Sequence, residues 1–219
     1  MNAWVMLPLF NEAARIGPLL ENILSQSFRV LVIDDGSSDE GPGIARAKNC
    51  PILTLGKNCG KGVAIRKGFE YLLQHPSWDL AVLMDSDGQH DPREIQKFID
   101  AHVASDADVV VGNRMGQRGA MQRLRWITNK LTSYWVSALA GQKIPDSQCG
   151  FRSLRRRAME RLQLQCERFD LESEMLIQAG DKGFKIVSIP IRSIYADQPS
   201  RIRPLRDTAL FCRLILKYL

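Results

Sequence analysis

The stretch "DLAVLMDSDGQHDPREIQKFIDAHVA", residues 79–104, carries the signals of a buried strand followed by a helix. Its first part is an apolar run that ends in Asp85 and Asp87, two acids separated by a single residue. Pro92 then opens a segment with helical spacing of apolar residues, and proline suits the first position of a helix. A strand without polar alternation, followed by a helix, is typical of a parallel sheet that helices cover on both sides.

The two acids at the end of this strand place two negative charges close together. Two carboxylates so close repel each other unless solvent screens them or a cation lies between them. Asp85 and Asp87 offer the hard oxygen ligands that Mg²⁺ and Mn²⁺ prefer, and no cluster of thiolates and imidazoles accompanies them to indicate zinc. The alternative is a solvated acidic turn that caps the following helix, which accounts for Asp91 better than for the pair.

The same alternation of strands and helices extends outward from this stretch. Apolar runs predict strands at residues 3–9, 29–36, 51–56, 79–85 and 107–114. Helical spacing predicts helices at 11–26, 60–74 and 92–104, and then at 152–162, 169–183 and 203–219, with a further strand within 184–196. Residues 115–142 are predicted to begin with a flexible segment and to continue as a helix rich in Arg, Trp and Tyr. Because no repeat or linker interrupts the chain, we predict an α/β fold of one domain, residues 1–219, with a mainly parallel sheet flanked by helices.

Composition disfavours several classes of protein. The 219 residues are 45% hydrophobic and 25% charged, as in ordinary globular domains, and no apolar run approaches the roughly 18 residues needed to cross a bilayer. The N-terminus has no basic segment followed by a long apolar one, so we expect no signal peptide. The five cysteines are scattered without CxxC spacing, which favours free thiols in a reducing cytoplasm over a disulfide or zinc framework.

The net positive charge of the chain comes from its second half. Residues 1–114 carry 11 Lys and Arg against 15 Asp and Glu, whereas residues 115–219 carry 19 against 9. Such a surplus favours an anionic partner, namely nucleic acid, lipid phosphate or a membrane surface. Nucleic acid is disfavoured because we find no nucleic-acid-binding motif.

Polar residues follow four of the predicted strands at the point where each strand ends. The segments are "PLFNE", "DDGSSDE", "DSDGQH" and "GNR". Ligands of parallel α/β sheets bind at the carboxyl ends of the strands, so these segments are expected to meet at one edge. One acidic turn alone would be read as a helix cap or an Asx turn, but their recurrence on one sheet edge favours a binding site.

With these segments the sequence resembles the family 2 glycosyltransferases of the GT-A fold, especially their dolichyl-phosphate-mannose-synthase-like branch. The resemblance covers nearly the whole chain. It rests on segments that occur in the expected order: "LPLFNEA", "VIDDGSSDE", "GKNCGKGVAIRKGFE", "MDSDGQHDP", "VVGNR", "DSQCGFR" and "FDLESEM". It implies a nucleotide-sugar-binding half, residues 1–114, and a basic acceptor-binding half, residues 115–219.

The resemblance also implies roles for single residues. Nucleotide-sugar binding is expected of Pro8, Phe10, Glu12, Ile33, Asp35, Lys61, Asp85, Ser86, Asp87, Arg114 and Arg201. A divalent cation, Mg²⁺ or Mn²⁺, is expected on the donor diphosphate, with Asp85, Asp87 and Gln89 as its protein ligands. The residues expected to act in catalysis are Asp87, Asp146 and Arg201. Basic side chains and a metal at the leaving group lower the barrier, because negative charge develops there.

The acceptor is expected to bind in the basic half, with Arg123, Arg125, Glu172 and Glu174 as contacts. A hydroxyl acceptor needs a general base, for which Asp146, Glu172 and Glu174 are candidates. A phosphate acceptor is already an anion and needs none. Each of these acids has an alternative role as the ion-pair partner of a nearby arginine.

The resemblance therefore predicts an inverting, metal-dependent glycosyltransferase that moves a sugar from a GDP- or UDP-sugar to a lipid-linked acceptor such as polyprenyl phosphate. A hydroxyl acceptor is the nearest alternative. A haloacid-dehalogenase-like phosphatase is an alternative of another class, because "MDSDG" also resembles that family's D-x-D-G, although there the pair ends the first strand. A non-catalytic basic module leaves the acidic strand ends unexplained.

The last predicted helix, residues 203–219, permits two interpretations. It is either a helix docked on the core or an interfacial anchor that places Arg213 and Lys217 at lipid headgroups. We expect a cytoplasmic protein, and the sequence leaves open a peripheral contact with the inner face of the cytoplasmic membrane.

Overall fold

The strands of the chain form one seven-stranded sheet. The computed structural model describes residues 1–116, 123–192, 194 and 204–219. In chain order the strands are β1 (Ala3–Leu9), β2 (Arg29–Asp34), β3 (Ile52–Thr54), β4 (Leu80–Leu83), β5 (Val109–Asn113), β6 (Arg152–Arg155) and β7 (Ile186–Pro190). Their order across the sheet is β3-β2-β1-β4-β6-β5-β7.

Helices cover both faces of this sheet. They are α1 (Ala13–Ser25), α2 (Gly41–Ala47), α3 (Lys61–Leu73), α4 (Ile95–Ser105), α5 (Arg123–Ala140), α6 (Arg156–Arg161), α7 (Leu171–Asp181) and α8 (Pro204–Tyr218). A 3₁₀ turn, Pro92–Glu94, precedes α4, and the Asp91 carboxylate caps it by accepting the Arg93 N–H at 3.0 Å. Among the helices of the described ranges, none is long and apolar enough to cross a membrane.

All strands but one run in the same direction, which confirms the predicted mainly parallel sheet. β6 is antiparallel to both of its neighbours, β4 and β5. Val5, Met6 and Leu7 of β1 are fully buried although they point alternately to the two faces, because helices cover both. In α1 the buried residues Ile16, Leu20 and Ile23 recur at helical spacing and form the stripe that faces the sheet.

Two elements differ from the sequence prediction. Residues 152–155 were predicted as the first turn of a helix, but they form β6, and the helix α6 begins only at Arg156. α2 lies in a stretch for which no helix was predicted, because its sequence "GPGIARA" contains two glycines and a proline. Both errors concern short elements whose conformation depends on tertiary contacts rather than on local apolar spacing.

The sheet order fixes where a ligand can bind. The connections from β1 lead to β2 and β3 on one side, whereas β4 leads to the strands on the other side. In doubly wound sheets such a reversal opens a crevice at the carboxyl ends of the strands. Here the crevice lies between the ends of β1 and β4, which are Leu9 and Leu83, and the segment "DSDGQH" follows directly after Met84.

Candidate active site

The loops after β1 and β2 hold each other in place beside this crevice. The Asn11 side-chain oxygen accepts the Ser38 N–H at 2.8 Å, and the Asn11 N–H donates to the Ser37 hydroxyl at 3.1 Å. The Asp39 carboxylate accepts the N–H of Ala13, in the first turn of α1, at 2.8 Å. The segments "FNEA" and "DDGSSD" therefore support each other's conformation, as well as lining the edge of the sheet.

Three predicted donor-site residues lie at the end of β1. Phe10 is half-buried, and the buried Glu12 pairs with the Arg15 guanidinium at 2.6 Å. The carbonyl oxygen of Pro8 accepts the Ser86 hydroxyl at 2.7 Å, which ties the loop after β4 to β1. Ser86 thus has a structural contact, while its predicted contact with the donor stays a prediction.

Asp35, at the end of β2, is a buried carboxylate aimed at the start of α3. It accepts the N–H of Cys59 at 2.7 Å and that of Gly60 at 2.9 Å. Burial raises the pKa of the Asp35 carboxyl above its ordinary value, and the two N–H donors only partly oppose this. Ile33 was predicted to line the same pocket; its side chain is fully buried beneath α3, against Gly68, and its contact with the donor stays a prediction.

Lys61 brings together two acids that are distant in the sequence. Its ammonium lies 2.5 Å from the Asp85 Oδ1 atom and 2.6 Å from the Glu172 Oε1 atom. The Phe169 ring lies 5.7 Å from the same nitrogen. Burial alone would lower the pKa of Lys61, but the charges of Asp85 and Glu172 outweigh it and raise that pKa. Lys61 therefore carries its positive charge inside the candidate site.

Asp85 is confined on its other sides. Gly150 packs so closely on its carboxylate that an added Cβ atom would overlap it. The His90 Nε2 atom lies 3.8 Å from Oδ2, and the His90 ring packs 5.2 Å from the Phe151 ring. Burial would raise the pKa of the Asp85 carboxyl, but Lys61 and His90 outweigh it and hold that pKa well below its usual range. Asp85 is therefore a carboxylate with little freedom to rotate.

The predicted metal ligands form a set of oxygen donors on one loop. Asp87 and Gln89 are half-buried, and the Asp87 Oδ1 atom accepts the Gln89 N–H at 2.9 Å. The Gln89 carbonyl accepts the N–H of Ile194 at 2.9 Å, which fixes the backbone of this loop. Two carboxylates and an amide oxygen fit a hard cation such as Mg²⁺ or Mn²⁺. In the described part of the chain no three His, Cys, Asp or Glu side chains form a closed metal site.

Arg114 and Asp146, two predicted site residues, form a buried pair. The Arg114 Nε and Nη2 atoms donate to the two carboxylate oxygens of Asp146 at 2.8 and 2.9 Å. The Arg114 backbone N–H also donates to Asp146, at 3.0 Å. Two roles were predicted for Asp146, a general base and the ion-pair partner of a nearby arginine. The observed geometry matches the second.

Glu174 lies away from Lys61, on the side of α7 that α8 covers. It is fully buried, and its Oε2 atom accepts the backbone N–H groups of Gln165 and Cys166 at 2.8 Å each. The Lys217 ammonium of α8 lies 3.5 Å from its Oε1 atom. Burial raises the pKa of the Cys166 thiol, and the neighbouring acids add to this effect. These contacts agree with the docked interpretation of the last helix.

The remaining predicted residues are not brought to this cluster by the described contacts. Arg125 is half-buried near the start of α5. Arg123 is the first residue of α5, but its side chain lies outside the described part of the chain. Arg201 also lies outside the described residues.

Sequence reasoning missed the environment of Asp85. Gly150 and Phe169 received no role, although "DSQCGFR" and "FDLESEM" were recognised as motifs. A glycine followed by an aromatic residue gives no local sign of close approach to a carboxylate 65 positions earlier. The pairing of Lys61 with Glu172, which are 111 positions apart, had no local signal either.

The comparison with protein families agrees with this geometry. The family model described as glycosyl transferase family 2 matches residues 4–163. The chain belongs to glycosyltransferase family 2. A polyprenol monophosphomannose synthase from Mycolicibacterium smegmatis is 28% identical, over 85% of this chain and 75% of its own. A UDP-N-acetylglucosamine–dolichyl-phosphate N-acetylglucosaminyltransferase from Methanococcus voltae is 26% identical, over 89% of this chain and 86% of its own.

A solved structure shares the fold of this glycosyltransferase. It is glucosyl-3-phosphoglycerate synthase from Mycobacterium tuberculosis in complex with Mn²⁺, UDP and glucosyl-3-phosphoglycerate. The TM-score is 0.72 at 18% sequence identity, and the likeness covers 98% of this chain and 77% of the synthase. The predicted GT-A fold and the predicted place in the dolichyl-phosphate sugar transferase branch are confirmed. Membership of the family excludes the phosphatase alternative.

Proposed function

We propose that this glycosyltransferase binds a nucleotide-sugar donor in the crevice between the ends of β1 and β4 and transfers its sugar, with inversion, to a polyprenyl phosphate. The observation that carries the proposal is the convergence of Asp35, Asp85 and Asp87 at this edge of the sheet, with Lys61 among them. Asp35 lies at the end of β2 and faces the base and ribose, whereas the loop after β4 faces the diphosphate.

Asp87 and Gln89 hold a divalent cation on the donor diphosphate, and Asp85 contacts the ribose or the cation. When bound, Mg²⁺ or Mn²⁺ neutralises charge that develops on the leaving diphosphate. The oxygen donor set supports this role, as does the Mn²⁺ and UDP named with the structurally similar synthase. Arg114 and Arg201 add positive charge near the same phosphates. Asp146 fixes the orientation of the Arg114 guanidinium through its two hydrogen bonds.

Each of the three acids that were candidate bases is already bound by another group of the protein, and a phosphate acceptor, which needs no base, agrees with this. Asp146 is bound to Arg114, Glu172 to Lys61, and Glu174 to two backbone N–H groups. A general base needs a carboxylate oxygen in reach of the acceptor proton. A polyprenyl phosphate oxygen is already negative and attacks without such a base. The names of the two relatives, a synthase of polyprenol monophosphomannose and an N-acetylglucosaminyltransferase named for dolichyl phosphate, support the same class of acceptor.

The exposed face of α5 supports a lipid acceptor as well. Ile127, Leu131, Tyr134 and Trp135 are 58%, 59%, 67% and 40% exposed and share one face of the helix. The helix contains basic residues and no Asp or Glu. A helix with an exposed apolar face, interfacial aromatic residues and positive charge suits the surface of an anionic membrane. We place the protein on the cytoplasmic face of the membrane, with Arg123 and Arg125 near the acceptor phosphate.

Two measurements test the donor site. UDP-, GDP- and dTDP-sugars are screened for Mn²⁺-dependent thermal stabilisation and for slow donor hydrolysis. We expect one nucleotide to stabilise the wild-type chain and Asp87→Ala to abolish that effect. Asp91→Ala is the matched control, because it removes an acid of the same loop that caps the 3₁₀ turn and pairs with the exposed Arg93. The donor site is disproved by a chain that responds to no nucleotide.

The acceptor class is tested with the donor identified in this way. Polyprenyl phosphate is compared with the corresponding polyprenol, and the anomeric configuration of the product is read by NMR. We expect transfer to the phosphate alone, with inversion. Transfer to the polyprenol at a similar rate supports the hydroxyl-acceptor alternative and requires a general base.

A further inference from the structure

The Lys61 ammonium occupies the Asp85 side of the proposed donor site. It lies 2.5 Å from Asp85 and 2.6 Å from Glu172, so one cation neutralises two carboxylates. Asp85 is also one of the groups assigned to the ribose or the metal of the donor. Lys61 and the donor therefore compete for the same carboxylate, and this inference rests on the proposed function.

The surroundings of Asp85 decide which partner has to move. Gly150 packs against its carboxylate, and His90 lies beside its second oxygen at 3.8 Å. Since Gly150 and His90 flank this carboxylate, we take Asp85 as the partner that stays in place. Lys61, in contrast, is the first residue of α3 and has a flexible side chain of four methylene groups, so its ammonium is the mobile partner.

Glu172 keeps its place at the other end of the pair. It lies in the first turn of α7, and its carbonyl oxygen accepts the Arg152 guanidinium at 2.8 Å. Arg152 is fully buried and donates at 2.6 Å to the Cys149 carbonyl as well. These bonds fix the backbone that carries Glu172, and its carboxylate is the second counter-charge of Lys61.

We propose that Lys61 is an exchangeable cation, which neutralises Asp85 before the donor binds and moves to the donor diphosphate when the donor and its metal arrive. A divalent cation near Asp85 repels the ammonium, while the diphosphate attracts it over the short distance involved. Glu172 stays within reach of Lys61 in both positions. Glu172 is then a positioning residue that steadies Lys61, and not a general base.

This exchange makes a prediction that a purely structural salt bridge does not. Without Lys61 the Asp85 carboxylate is open to metal, so Lys61→Met binds Mn²⁺ alone more tightly than the wild-type chain does, by roughly five- to twentyfold. The same variant binds UDP or GDP more weakly in saturating Mn²⁺, because the diphosphate loses a cation. Glu172→Gln removes one of the two carboxylates that the described residues bring to Lys61, which leaves Asp85, and it weakens Mn²⁺ binding by a similar factor.

The experiment measures Mn²⁺ binding to the full chain by EPR, first without nucleotide and then with UDP or GDP. Glu167→Gln is the matched control, because it removes an exposed negative charge of the same segment that precedes α7. Circular dichroism establishes that each variant is folded. The double variant Lys61→Met/Glu172→Met replaces the whole pair by apolar groups of similar size, which buried ion pairs tolerate, and it is also expected to bind Mn²⁺ more tightly.

The outcomes separate this inference from the proposed function. Unchanged or weaker Mn²⁺ binding by folded Lys61→Met or by the double variant overturns the exchange, whatever the nucleotide does. An effect of Glu167→Gln equal to that of Glu172→Gln also overturns it, because the effect then comes from net charge. A wild-type chain that binds none of UDP, GDP and dTDP overturns the proposed donor site, and the comparison of Mn²⁺ affinities still decides whether Lys61 occupies Asp85.

Discussion

The guanidinium of Arg114 forms a two-pronged ion pair with the carboxylate of Asp146, with N–O distances of 2.8 and 2.9 Å. Both side chains are buried, and the Arg114 N–H adds a third bond to the same carboxylate. Paired hydrogen bonds in this geometry fix both the position and the plane of a guanidinium. The pair with Asp146 therefore holds Arg114, in the loop after β5, in a single orientation.

Replacing Asp146 tests whether it orients Arg114 or acts as a base. Asp146→Asn removes one charge of a buried pair, so we expect the free energy of unfolding to fall by about 3 kcal/mol. We expect sugar transfer to fall as well, because Arg114 loses its fixed orientation, and the pH profile of the residual activity to keep its shape. Urea unfolding and initial rates across pH measure these effects. Unchanged stability with a lost ionisation in the pH profile would identify Asp146 as the base.

Gly150 allows a sharp test of the position of Asp85. Gly150→Ala puts a methyl group where the Asp85 carboxylate lies, so we expect the carboxylate to shift and nucleotide binding in Mn²⁺ to weaken roughly tenfold, about 1.4 kcal/mol. Overpacking of this kind also costs about 1–3 kcal/mol of stability. Gly116→Ala is the control, because its added Cβ atom meets no atom within 4 Å among the described residues other than its neighbours in the chain. Calorimetry of nucleotide binding measures both variants, and equal affinities would show that Asp85 is not confined.

The fold was predictable from the sequence where apolar spacing is local and strong. The strands β1, β2, β4 and β5 and the helices α1, α3 and α4 follow such spacing, and the family motifs lie at the ends of these strands. β6 was not predictable in this way. Its sequence "RSLR" contains the fully buried Arg152 and Ser153. The backbone carbonyls of Cys149 and Glu172 satisfy Arg152, so the reason for its burial lies in distant parts of the chain.

The candidate site was predictable as a set of acids at one sheet edge, because the parallel topology brings strand ends together. The partners of those acids were not predictable. Whether Glu172 faces Lys61, an acceptor or an arginine depends on how α7 packs beside the start of α3, and nothing in either segment specifies that packing. Family motifs give the order of the segments, whereas ion pairs between segments depend on tertiary structure.

The face of α5 gives a prediction for binding to lipid. The double variant Ile127→Ser/Leu131→Ser removes two exposed apolar side chains, and we expect partitioning onto vesicles of phosphatidylglycerol and phosphatidylcholine to fall roughly tenfold or more. Val103→Ser is the control, because Val103 is 67% exposed but lies on α4. Vesicle flotation measures binding, and light scattering without vesicles detects self-association. Equal flotation of all three chains, or a dimer that the double variant dissociates, would contradict a lipid-binding face.

His102 gives a prediction for stability against pH that does not involve the active site. Its ring is buried, with Nδ1 at 2.8 Å from the Ala107 carbonyl and Nε2 at 2.8 Å from the Ser153 hydroxyl. Burial lowers the pKa of His102 below its ordinary value of 6.5; Arg155 adds to this shift and Asp108 opposes it. The unfolded chain therefore binds one more proton than the folded chain between the lowered pKa and 6.5.

The sign of the effect follows from this excess of protons. Stability contributed by neutral His102 is complete above pH 6.5 and is lost as the pH falls from there toward the folded pKa, by at most about 1.4 kcal/mol per pH unit. His102→Gln has no ionisable ring, so we expect its free energy of unfolding to change less with pH between pH 6.5 and pH 5. We also expect this variant to be less stable overall than the wild-type chain. Urea unfolding at several pH values measures both chains. Parallel slopes would show that His102 titrates alike in the folded and unfolded states, and that its burial does not favour the neutral ring.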